Sequence, residues 1–278
     1  MLISWINSYF YSLKSAFMKI AGFFTFLLLL TCWSPCLYCQ PEKENLRIAL
    51  SQASPNYTRW LHRADSTIVC LDLFLLSPDS AVKILATCRG LVLTGGGDFD
   101  PAYYCRVSDT GRCEEIDPRR DHLEMQLIQK SLSMGMPIIG ICRGMQILNV
   151  HEGGSLFIDL PTDFGTTVTH RCEDYLHCFH NVNIDVYSFL QQIVKVDSGQ
   201  VASNHHQGIR HLAWSLKAVA FANDGLTEAV EWNIRSGRQS FMEAVQWHPE
   251  RMEADNPLSQ GLLISFIHAV HDFQSNIK

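Results

Sequence analysis

Three side chains in two short motifs have the chemistry needed for nucleophilic attack on a carbonyl group. Cys142 is the central residue of the sequence GICRG, and His248 and Glu250 lie two residues apart in the sequence WHPE. A cysteine thiolate attacks carbonyl carbons, and a histidine can take the thiol proton. A carboxylate beside that histidine fixes its tautomer and stabilises the imidazolium. The chain therefore carries a nucleophile, a base and an orienting acid, in the order Cys, His, Glu.

The residues around Cys142 predict a sharp turn between a buried strand and a helix. An apolar run at 136–139 precedes the motif, and residues 145–150 have the composition of a helix start. Glycines two residues before and after Cys142 leave the space that a strained turn needs. The turn would present the sulfur at a helix N-terminus, where N–H groups and the helix dipole favour a thiolate. The alternative is a buried cysteine beside a tight turn.

If the segment that contains His248 and Glu250 is a strand, both side chains point to the same face, because residues i and i+2 of a strand lie on one side. Pro249 between them is acceptable at a strand end, where the ladder of hydrogen bonds finishes. Taken alone, a surface histidine followed by an acid is the commoner explanation of this segment. Its combination with the predicted elbow favours a catalytic triad.

A glycine-rich loop, GGGD at positions 95–98, follows an apolar strand predicted at 90–94. Acyl transfer develops negative charge on the carbonyl oxygen, and each preorganised N–H donor stabilises that charge by roughly 3–4 kcal/mol. We expect the backbone N–H of Arg143 to be one donor and that of Gly96 or Gly97 to be the other. The alternative is an ordinary glycine turn, since the spacing is not that of a nucleotide-binding loop.

The two motifs resemble the class I glutamine amidotransferase-like superfamily and, within it, the gamma-glutamyl-gamma-aminobutyrate hydrolase family of cysteine peptidases. Further matching segments follow in the family's order: 93–98 with Pro101, 117–121 with Glu124, 153–156, 170–171, 203–207 and 224–229. The resemblance thus extends from about residue 93 to residue 250. It implies a cysteine hydrolase of gamma-glutamyl amide bonds with Cys142, His248 and Glu250 as its triad.

Recognition of the alpha-amino and alpha-carboxylate groups of a glutamyl substrate needs at least one acid and several donors. The candidates are Asp98, Arg119, Asp121 and Glu124 on one side and His205, His206 and Gln207 on the other. Arg119 and Asp121 have an alternative role, in which they pair to hold the long loop 98–118. His170 and Arg171 either brace a loop, which we favour, or form part of the pocket mouth.

Apolar strand-like and amphipathic helical segments alternate along the chain. Strands are expected at 46–50, 67–71, 90–94, 181–186, 218–221, 228–232 and 241–246, and helices near 57–64, 81–86, 120–134 and 258–273. This order predicts a single-domain, three-layer α/β fold, with a mostly parallel sheet covered by helices on both faces. Its site should lie beyond the carboxyl ends of the strands, where the elbow and the glycine loop emerge.

The composition is that of a globular enzyme and argues against other classes. The chain has 278 residues, of which 47% are hydrophobic and 18% charged, enough for one sizeable core. The formal net charge is −6 and the 22 basic residues are scattered, so we expect no nucleic-acid partner. The expected partner is a small gamma-glutamyl substrate, and a homodimer is compatible with the sequence.

Two functions of other classes remain as alternatives. A glutaminase subunit of an ammonia-transferring synthetase needs a partner, and the sequence has neither a synthetase domain nor an ATP loop, so we expect no obligatory synthetase partner. A catalytically silent binding module is disfavoured by the presence of Cys142, His248 and Glu250. Folylpoly-gamma-glutamate hydrolysis, which a neighbouring family with a similar triad performs, is an alternative within the hydrolase class.

The first 39 residues differ from the rest of the chain. Lys14 and Lys19 precede an apolar run at 20–30, which has the length of a signal-peptide core and is short for a membrane span. We predict a leader over residues 1–39, cleavage near Gln40, export, and a hydrolase domain over residues 40–278. A lipid or membrane anchor is the alternative.

Cysteine usage is compatible with export. The chain has ten cysteines, and Cys70 and Cys88, at the ends of apolar strands, are expected to be buried thiols. Local disulfides can form in an oxidising compartment within two loops, between Cys105 and Cys113 and between Cys172 and Cys178. The sequence has no Cys-x-x-Cys pairing with metal-site spacing, and adjacent His205 and His206 should point to opposite faces. We therefore predict no structural metal and no cofactor.

Overall fold

The computed structural model describes residues 45–276, with side chains described to residue 273. The predicted leader at 1–39, its cleavage site and residues 40–44 of the predicted domain lie outside the described residues. The described residues belong to one compact unit. Among them, none of the helices combines the length and the apolar character needed to cross a membrane.

Nine strands of the described region form one mixed sheet. In spatial order they are β2 (Val69–Asp72), β1 (Arg47–Leu50), β3 (Gly90–Leu93), β4 (Ile138–Ile141), β11 (Met242–Val245), β10 (Thr227–Trp232), β9 (Leu216–Ala222), β6 (Phe179–Ile184) and β7 (Ser198–Ala202). Neighbours from β2 to β11 are parallel, and neighbours from β11 to β7 are antiparallel. A separate antiparallel pair consists of β5 (Ser155–Phe157) and β8 (Gly208–His211).

Helices cover both faces of the large sheet, as predicted. One face packs against α1 (Pro55–His62), α6 (Phe189–Val194) and α7 (Pro257–Asn276), and the other against α2 (Pro78–Leu85), α3 (Pro118–Met134) and α4 (Arg143–His151). Strand β3 shows how the two cores arise: Val92 joins the first, while Leu91 and Leu93 join the second. Side chains of a strand alternate between faces, so one apolar strand serves both layers. Leu160 of the one-turn helix α5 (Leu160–Asp163) packs in a third, small cluster with Ala222 and Leu226.

The α/β fold class is confirmed, but the sheet is parallel over only half of its width. Parallel neighbours need a crossover of a dozen or more residues. Residues 223–226 are all that separate β9 from β10, and residues 233–241 separate β10 from β11. Connections of this length return the chain antiparallel. Strand β7 has the sequence SGQVA and β8 has GIRH, so neither carries the apolar run by which the other strands were predicted.

Helix α3 illustrates how local sequence fixes an element that carries site residues. The Asp117 side chain accepts the N–H groups of Arg119 and Arg120, both at 3.0 Å. Pro118 occupies the first helical position, where its missing N–H costs nothing. Gly135 ends the helix at φ 67°, a left-handed conformation that glycine adopts readily. The helix therefore begins two residues before the predicted start at Arg120.

The cysteines of the described region form one of the two expected disulfides. Cys172 and Cys178 are bonded, with their Cα atoms 5.5 Å apart. Cys105 and Cys113 are free thiols, contrary to the second expectation. They flank a 3₁₀ turn at Val107–Arg112: Cys105 is exposed, while Cys113 is half-buried with its sulfur 3.9 Å from the Gln207 side-chain nitrogen. Of the two predicted buried thiols, Cys88 is buried and Cys70 is half-buried.

Candidate active site

Cys142 forms the sharp turn between β4 and α4, so the predicted elbow is present. Its backbone has φ 54° and ψ −107°, a region that costs a non-glycine residue about 1–3 kcal/mol. The Cys142 N–H donates to the Val245 carbonyl at 2.8 Å, and its own carbonyl accepts the Met145 N–H at 3.0 Å. These bonds hold the strained residue between the end of the strand and the first turn of the helix. The sulfur therefore lies at a helix N-terminus, as the sequence predicts.

The two glycines of the motif are required by close backbone approaches. A Cβ at Gly140 would lie 2.9 Å from the carbonyl carbon of Gly144. A Cβ at Gly144 would overlap the carbonyl oxygen of Leu93 in the neighbouring strand β3. Helix α4 can thus leave the sheet edge at this steep angle only if both positions lack a side chain.

His248 and Glu250 form a buried pair, but on a turn rather than on a strand. The His248 Nδ1 and Glu250 Oε1 atoms are 2.8 Å apart, and the two residues are 2% and 5% exposed. Strand β11 ends at Val245, and Pro249 begins a 3₁₀ turn that extends to Arg251. This turn, which proline favours at its first position, brings the carboxylate back to the ring. The predicted pairing is therefore present, although the two residues lie on a turn after the strand predicted at 241–246 rather than on the strand itself.

Cys142 and His248 meet beside the backbone of Gly95. A Cβ at Gly95 would lie 3.0 Å from His248 Cε1 and 3.5 Å from Cys142 Cβ. His248 Nε2 is buried without a hydrogen-bond partner among the described side chains and backbone. Burial opposes protonation of this ring, but the Glu250 carboxylate and the Cys142 sulfur raise the pKa of His248 to about 9. The site therefore favours an imidazolium, the form that accompanies a thiolate.

Tyr57 of α1 borders the same point and was not found from the sequence. Its hydroxyl oxygen accepts the N–H of Gly95 at 2.8 Å. Burial, together with the nearby charges of Glu250 and Cys142, raises the pKa of Tyr57 well above its ordinary value. The neutral phenol therefore fixes the start of the glycine loop. No local pattern marks this tyrosine, because its role depends only on where α1 packs.

A buried network of two arginines and two carboxylates supports the glycine loop from behind. Arg120 pairs with Glu124 at 2.9 Å, and Arg143 pairs with both Glu124 and Asp121. Arg120 also donates to the carbonyl of Gly95 at 2.8 Å. Burial raises the pKa of Asp121 to about 6, although Arg143 favours its charged form. At Glu124 burial is outweighed by the two arginines, which lower the pKa of that carboxyl.

The glycine loop and the start of α4 carry the N–H groups that were predicted as oxyanion donors. A Cβ at Gly96 would collide with the Arg120 guanidinium, and one at Gly97 would lie 2.5 Å from the Glu115 carbonyl oxygen. Within residues 45–276, the N–H groups of Gly96 and Gly97 donate to no other protein group. Arg143 is the first residue of α4, so its N–H has no acceptor within the helix. All three N–H groups therefore lack an acceptor among the described residues.

A cavity of about 90 Å³ adjoins Cys142 and contains several predicted substrate-binding residues. It is lined by Gly96, Gly97, Asp98, Glu114, Cys142, Gln146, Arg171, Asn204, His205, His206 and Gln207. His206 Nε2 lies 2.9 Å from an Asp98 oxygen. Burial works against protonation of His206, but the contact with Asp98 raises its pKa. The side-chain oxygen of Gln207 is buried without a partner in the described region. The cavity therefore offers both charges and an unused acceptor.

Two other predicted substrate-binding residues do not line this cavity. Arg119 donates to the carbonyl oxygens of Phe74 and Leu76 at 2.7 and 2.9 Å, and its guanidinium lies 4.7 Å from the centre of the Phe74 ring. Asp121 is fully buried, accepts the Asp100 N–H at 3.1 Å and pairs with Arg143 rather than with Arg119. Position 119 faces outward on α3, while 120 and 121 face inward. The predicted pair between Arg119 and Asp121 is therefore absent, and each residue has other protein partners.

His170 and Arg171 differ in position: one is buried as a loop brace would be, and the other lies at the pocket mouth. His170 is buried and contacts His180 and Asp224, which agrees with a bracing role. Arg171 lines the cavity and pairs with Glu114 at 2.7 Å, as expected for the pocket mouth. Two further residues of the cavity carry no signal in the sequence: Glu114, and Gln146, whose side chain donates to the Gln207 carbonyl at 3.1 Å. Gln146 lies one helical turn after the elbow, a position that points toward the site.

Comparison with known protein sequences shows which family the chain resembles. Residues 36–250 match the model of the family described as Peptidase C26. Protein NtpR of Enterococcus hirae is 38% identical over 193 residues, which cover 69% of this chain and 79% of NtpR. The gamma-glutamyl-gamma-aminobutyrate hydrolase PuuD of Escherichia coli is 30% identical over 221 residues, which cover 77% of this chain and 84% of PuuD.

Solved structures share the architecture at low sequence identity. The glutaminase domain of CTPS from Trypanosoma brucei, solved with bound acivicin, matches with a TM-score of 0.56 and 18% identity. The match covers 82% of this chain and 94% of that domain. At this identity the likeness concerns the fold alone, and it agrees with the mixed sheet and two helical layers described above.

Proposed function

This chain belongs to the peptidase C26 family, and from that premise we propose that it hydrolyses gamma-glutamyl amide bonds through Cys142, His248 and Glu250. The supporting observation is geometric. A cysteine on a strained elbow and a buried His–Glu pair border the same glycine, Gly95. A small polar cavity opens beside the sulfur. The activity named for PuuD, at 30% identity, supports the gamma-glutamyl substrate class.

The first half of the reaction forms a thioester. The Cys142 thiolate attacks the gamma-carbonyl carbon, and the developing oxyanion is stabilised by the N–H of Arg143 and by that of Gly96 or Gly97. The His248 imidazolium then gives its Nε2 proton to the departing nitrogen, and the C–N bond breaks. A gamma-glutamyl thioester remains on Cys142, and the amine leaves.

The second half releases glutamate. His248, now neutral, accepts a proton from water as that water attacks the thioester carbonyl, and the sulfur departs as the thiolate beside the re-formed imidazolium. Glu250 accepts a hydrogen bond from the Nδ1–H of His248 throughout and so keeps Nε2 directed at the reacting atoms. Tyr57 and Arg120 keep the glycine loop in place through their bonds to the N–H and carbonyl of Gly95.

The cavity provides groups of both signs for the two ends of an amino acid. The carboxylates of Asp98 and Glu114 suit the alpha-amino group, and Arg171 and His206 suit the alpha-carboxylate. Asp98 and His206 are themselves paired, which fixes their orientation before the substrate binds. The volume of about 90 Å³ is small, so we expect the glutamyl part to enter this cavity and the leaving amine to project outward.

A screen of leaving groups at a fixed gamma-glutamyl moiety tests the function. The substrates are gamma-glutamyl-aminobutyrate, gamma-glutamyl dipeptides, a folyl di-gamma-glutamate, glutamine, and an alpha-linked glutamyl dipeptide as control. We expect gamma-linked substrates to be cleaved and the alpha-linked control to be inert. Preferred glutamine hydrolysis that rises with a partner would instead indicate a glutaminase subunit. No turnover of any substrate would indicate a silent binding module.

We further propose that the enzyme acts outside the cytoplasm. The supporting observations are the apolar run at 20–30 and the Cys172–Cys178 disulfide, which forms and persists in oxidising compartments. Cell fractionation of the full chain with a C-terminal tag would test this. Retention of the uncleaved chain in the cytosol with a reduced Cys172 would contradict it.

A further inference from the structure

Four buried side chains that take no part in the proposed hydrolysis converge on one point beside the cavity. They are His170, His180, His205 and Glu228. None is more than 7% exposed, and the ligand atoms of the four lie within 4.8 Å of one another. They come from separate parts of the fold: His180 from β6, Glu228 from β10 and the other two from loops.

The distances among these atoms are those of a four-coordinate metal site. The Glu228 Oε1 atom lies 3.3 Å from His170 Nδ1 and 3.6 Å from His180 Nε2. It lies 3.5 Å from His205 Nε2, and the inner nitrogens of His170 and His180 are 3.3 Å apart. Tetrahedral zinc with bonds of about 2.0–2.1 Å keeps its ligand atoms about 3.3–3.4 Å from one another. Four of the six distances in the cluster, at 3.3–3.6 Å, are close to this spacing, and the other two are no longer than 4.8 Å.

Hydrogen bonding satisfies the centre of the cluster only in part, through the contact between His170 Nδ1 and His180 Nε2. Both carboxylate oxygens of Glu228 and the Nε2 atom of His205 are buried without a hydrogen-bond partner among the described residues. The nitrogens therefore lie close to the carboxylate without pointing along hydrogen bonds to it. A buried carboxylate that histidine nitrogens approach at 3.3–3.6 Å needs a positive charge beside it, either a protonated histidine or a cation at the centre of the cluster.

The outer nitrogen of each histidine has a partner that turns the inner nitrogen toward this centre. His205 Nδ1 lies 2.8 Å from the Gln207 carbonyl oxygen, and His180 Nδ1 lies 3.2 Å from the Asn181 carbonyl oxygen. His170 Nε2 lies 2.9 Å from an Asp224 carboxylate oxygen. A ring that donates on its outer side presents a lone pair on its inner side, as metal-bound histidines do.

We propose that His170 Nδ1, His180 Nε2, His205 Nε2 and the Glu228 carboxylate bind one divalent transition-metal ion, with zinc as the best match. Four protein ligands leave no open position, so the ion is structural rather than catalytic. It joins β6 and β10 to the loop whose next residues, His206 and Gln207, line the cavity. This proposal departs from the sequence prediction of no structural metal, because the ligands are scattered in sequence and include no cysteine pair.

Metal analysis of the purified chain, in a Cys142→Ala background that removes the reactive thiol as a competing ligand, tests the proposal. Protein from zinc-supplemented medium should contain one equivalent of zinc by plasma mass spectrometry. Dialysis against dipicolinate should remove it and lower the melting temperature, and added Zn²⁺ should restore both. Cobalt substitution should give the intense visible absorption of a tetrahedral N/O site.

Two variants and a control locate the ion. Glu228→Gln and His180→Gln in the same background should bind zinc at least about tenfold more weakly, and their melting temperatures should no longer respond to the chelator. The control is His177→Gln, an exposed histidine paired with Asp174, which should bind zinc as the parent does. If the two variants fail to fold, the chelation, zinc and cobalt measurements on the parent decide alone.

Absence of zinc, with no change of melting temperature on chelation or zinc addition, would overturn the proposal. The cluster would then be a metal-free network in which a protonated histidine pairs with Glu228. Zinc that binds equally well to the parent and to the Glu228 and His180 variants would overturn it also. Neither result would bear on hydrolysis by Cys142, since metal content and turnover are measured separately.

Discussion

The two halves of the sheet contribute to the site in different ways. The parallel half places the elbow, the glycine loop and the segment leading to His248 at one edge, because parallel strands end on the same side. The antiparallel half contributes Glu228 and His180, and with the adjoining loops it builds the cavity wall. The groups proposed to do the chemistry thus follow from strand direction. The groups proposed to select the substrate and stiffen its pocket depend on contacts between loops.

Removal of the sulfur is the largest expected change and tests the parallel half directly. Cys142→Ala should lower kcat/KM by about 10⁵-fold or more, because the covalent pathway is lost. The melting temperature should stay within a few degrees, since the change removes one sulfur atom, and that atom borders a cavity. Activity is measured on gamma-glutamyl dipeptides and stability by calorimetry. A collapsed fold in this variant would favour the structural-cysteine interpretation.

Loss of the carboxylate beside His248 comes next. Glu250→Gln should lower kcat/KM by about 10³-fold, because the amide neither stabilises the imidazolium nor fixes the tautomer that activity requires. In the unchanged protein the alkaline limb of kcat/KM should lie near pH 9, where His248 loses its proton. The limb should move to lower pH in the variant. An unchanged limb would mean that another group titrates.

The free energy of unfolding should fall with rising pH because of the same histidine, His248. Its pKa is about 9 in the folded chain against an ordinary value of 6.5, so the folded state holds the proton more tightly than the unfolded state. The stabilisation of the folded state that this tighter proton binding provides is complete below pH 6.5. It is lost as the pH rises toward 9. Urea denaturation between pH 6.5 and 9 should show the decline, and it should be smaller in Glu250→Gln.

A substitution that adds one methyl group tests whether the close approach of α4 to strand β3 requires glycine. Gly144→Ala should destabilise the fold by about 2–3 kcal/mol, since the new Cβ overlaps the Leu93 carbonyl oxygen. The matched control is Gly111→Ala, where a Cβ would meet nothing within 4 Å. Urea denaturation of both variants compares them. Equal stability of the two would show that the backbone at the elbow adapts more easily than proposed.

Two substitutions test which side chains bind the substrate. Both His206 and Arg119 were predicted from the sequence as substrate-binding residues. His206→Gln should raise KM about tenfold, because it removes a charge-assisted contact at the substrate site. Arg119→Ala should leave KM within about twofold, since Arg119 braces Phe74 and Leu76 on the outside. Steady-state kinetics on one gamma-glutamyl dipeptide separates them. The reverse order would place substrate recognition on the outer face of α3.

The smallest expected effect concerns the hydroxyl that fixes the glycine loop. Tyr57→Phe leaves the Gly95 N–H without its partner, and we expect kcat to fall a few-fold with about 1 kcal/mol of stability. Tyr187→Phe is the control, because Tyr187 is 88% exposed. A loss of activity as large as that of Glu250→Gln would assign the tyrosine a direct part in catalysis.

Features encoded by a few neighbouring residues were predictable from the sequence. The elbow depends on Gly140 and Gly144 because each lies against backbone one turn away or in the next strand. The start of α3 depends on Asp117 and Pro118, which satisfy or remove N–H groups of its first turn. The family resemblance rests on such local motifs, and the match of residues 36–250 to the Peptidase C26 family model confirms it.

Other features were decided by contacts between distant segments. Whether Arg119 or Arg120 faces inward depends on a rotation of about 100° per residue along α3, which the positions of β3 and β4 resolve. The sequence likewise cannot show that Tyr57 reaches Gly95 or that His170, His180 and His205 surround Glu228. A motif specifies geometry over one or two turns of chain, where covalent connection limits the choices. Across longer separations only the packing of both cores fixes which side chains meet.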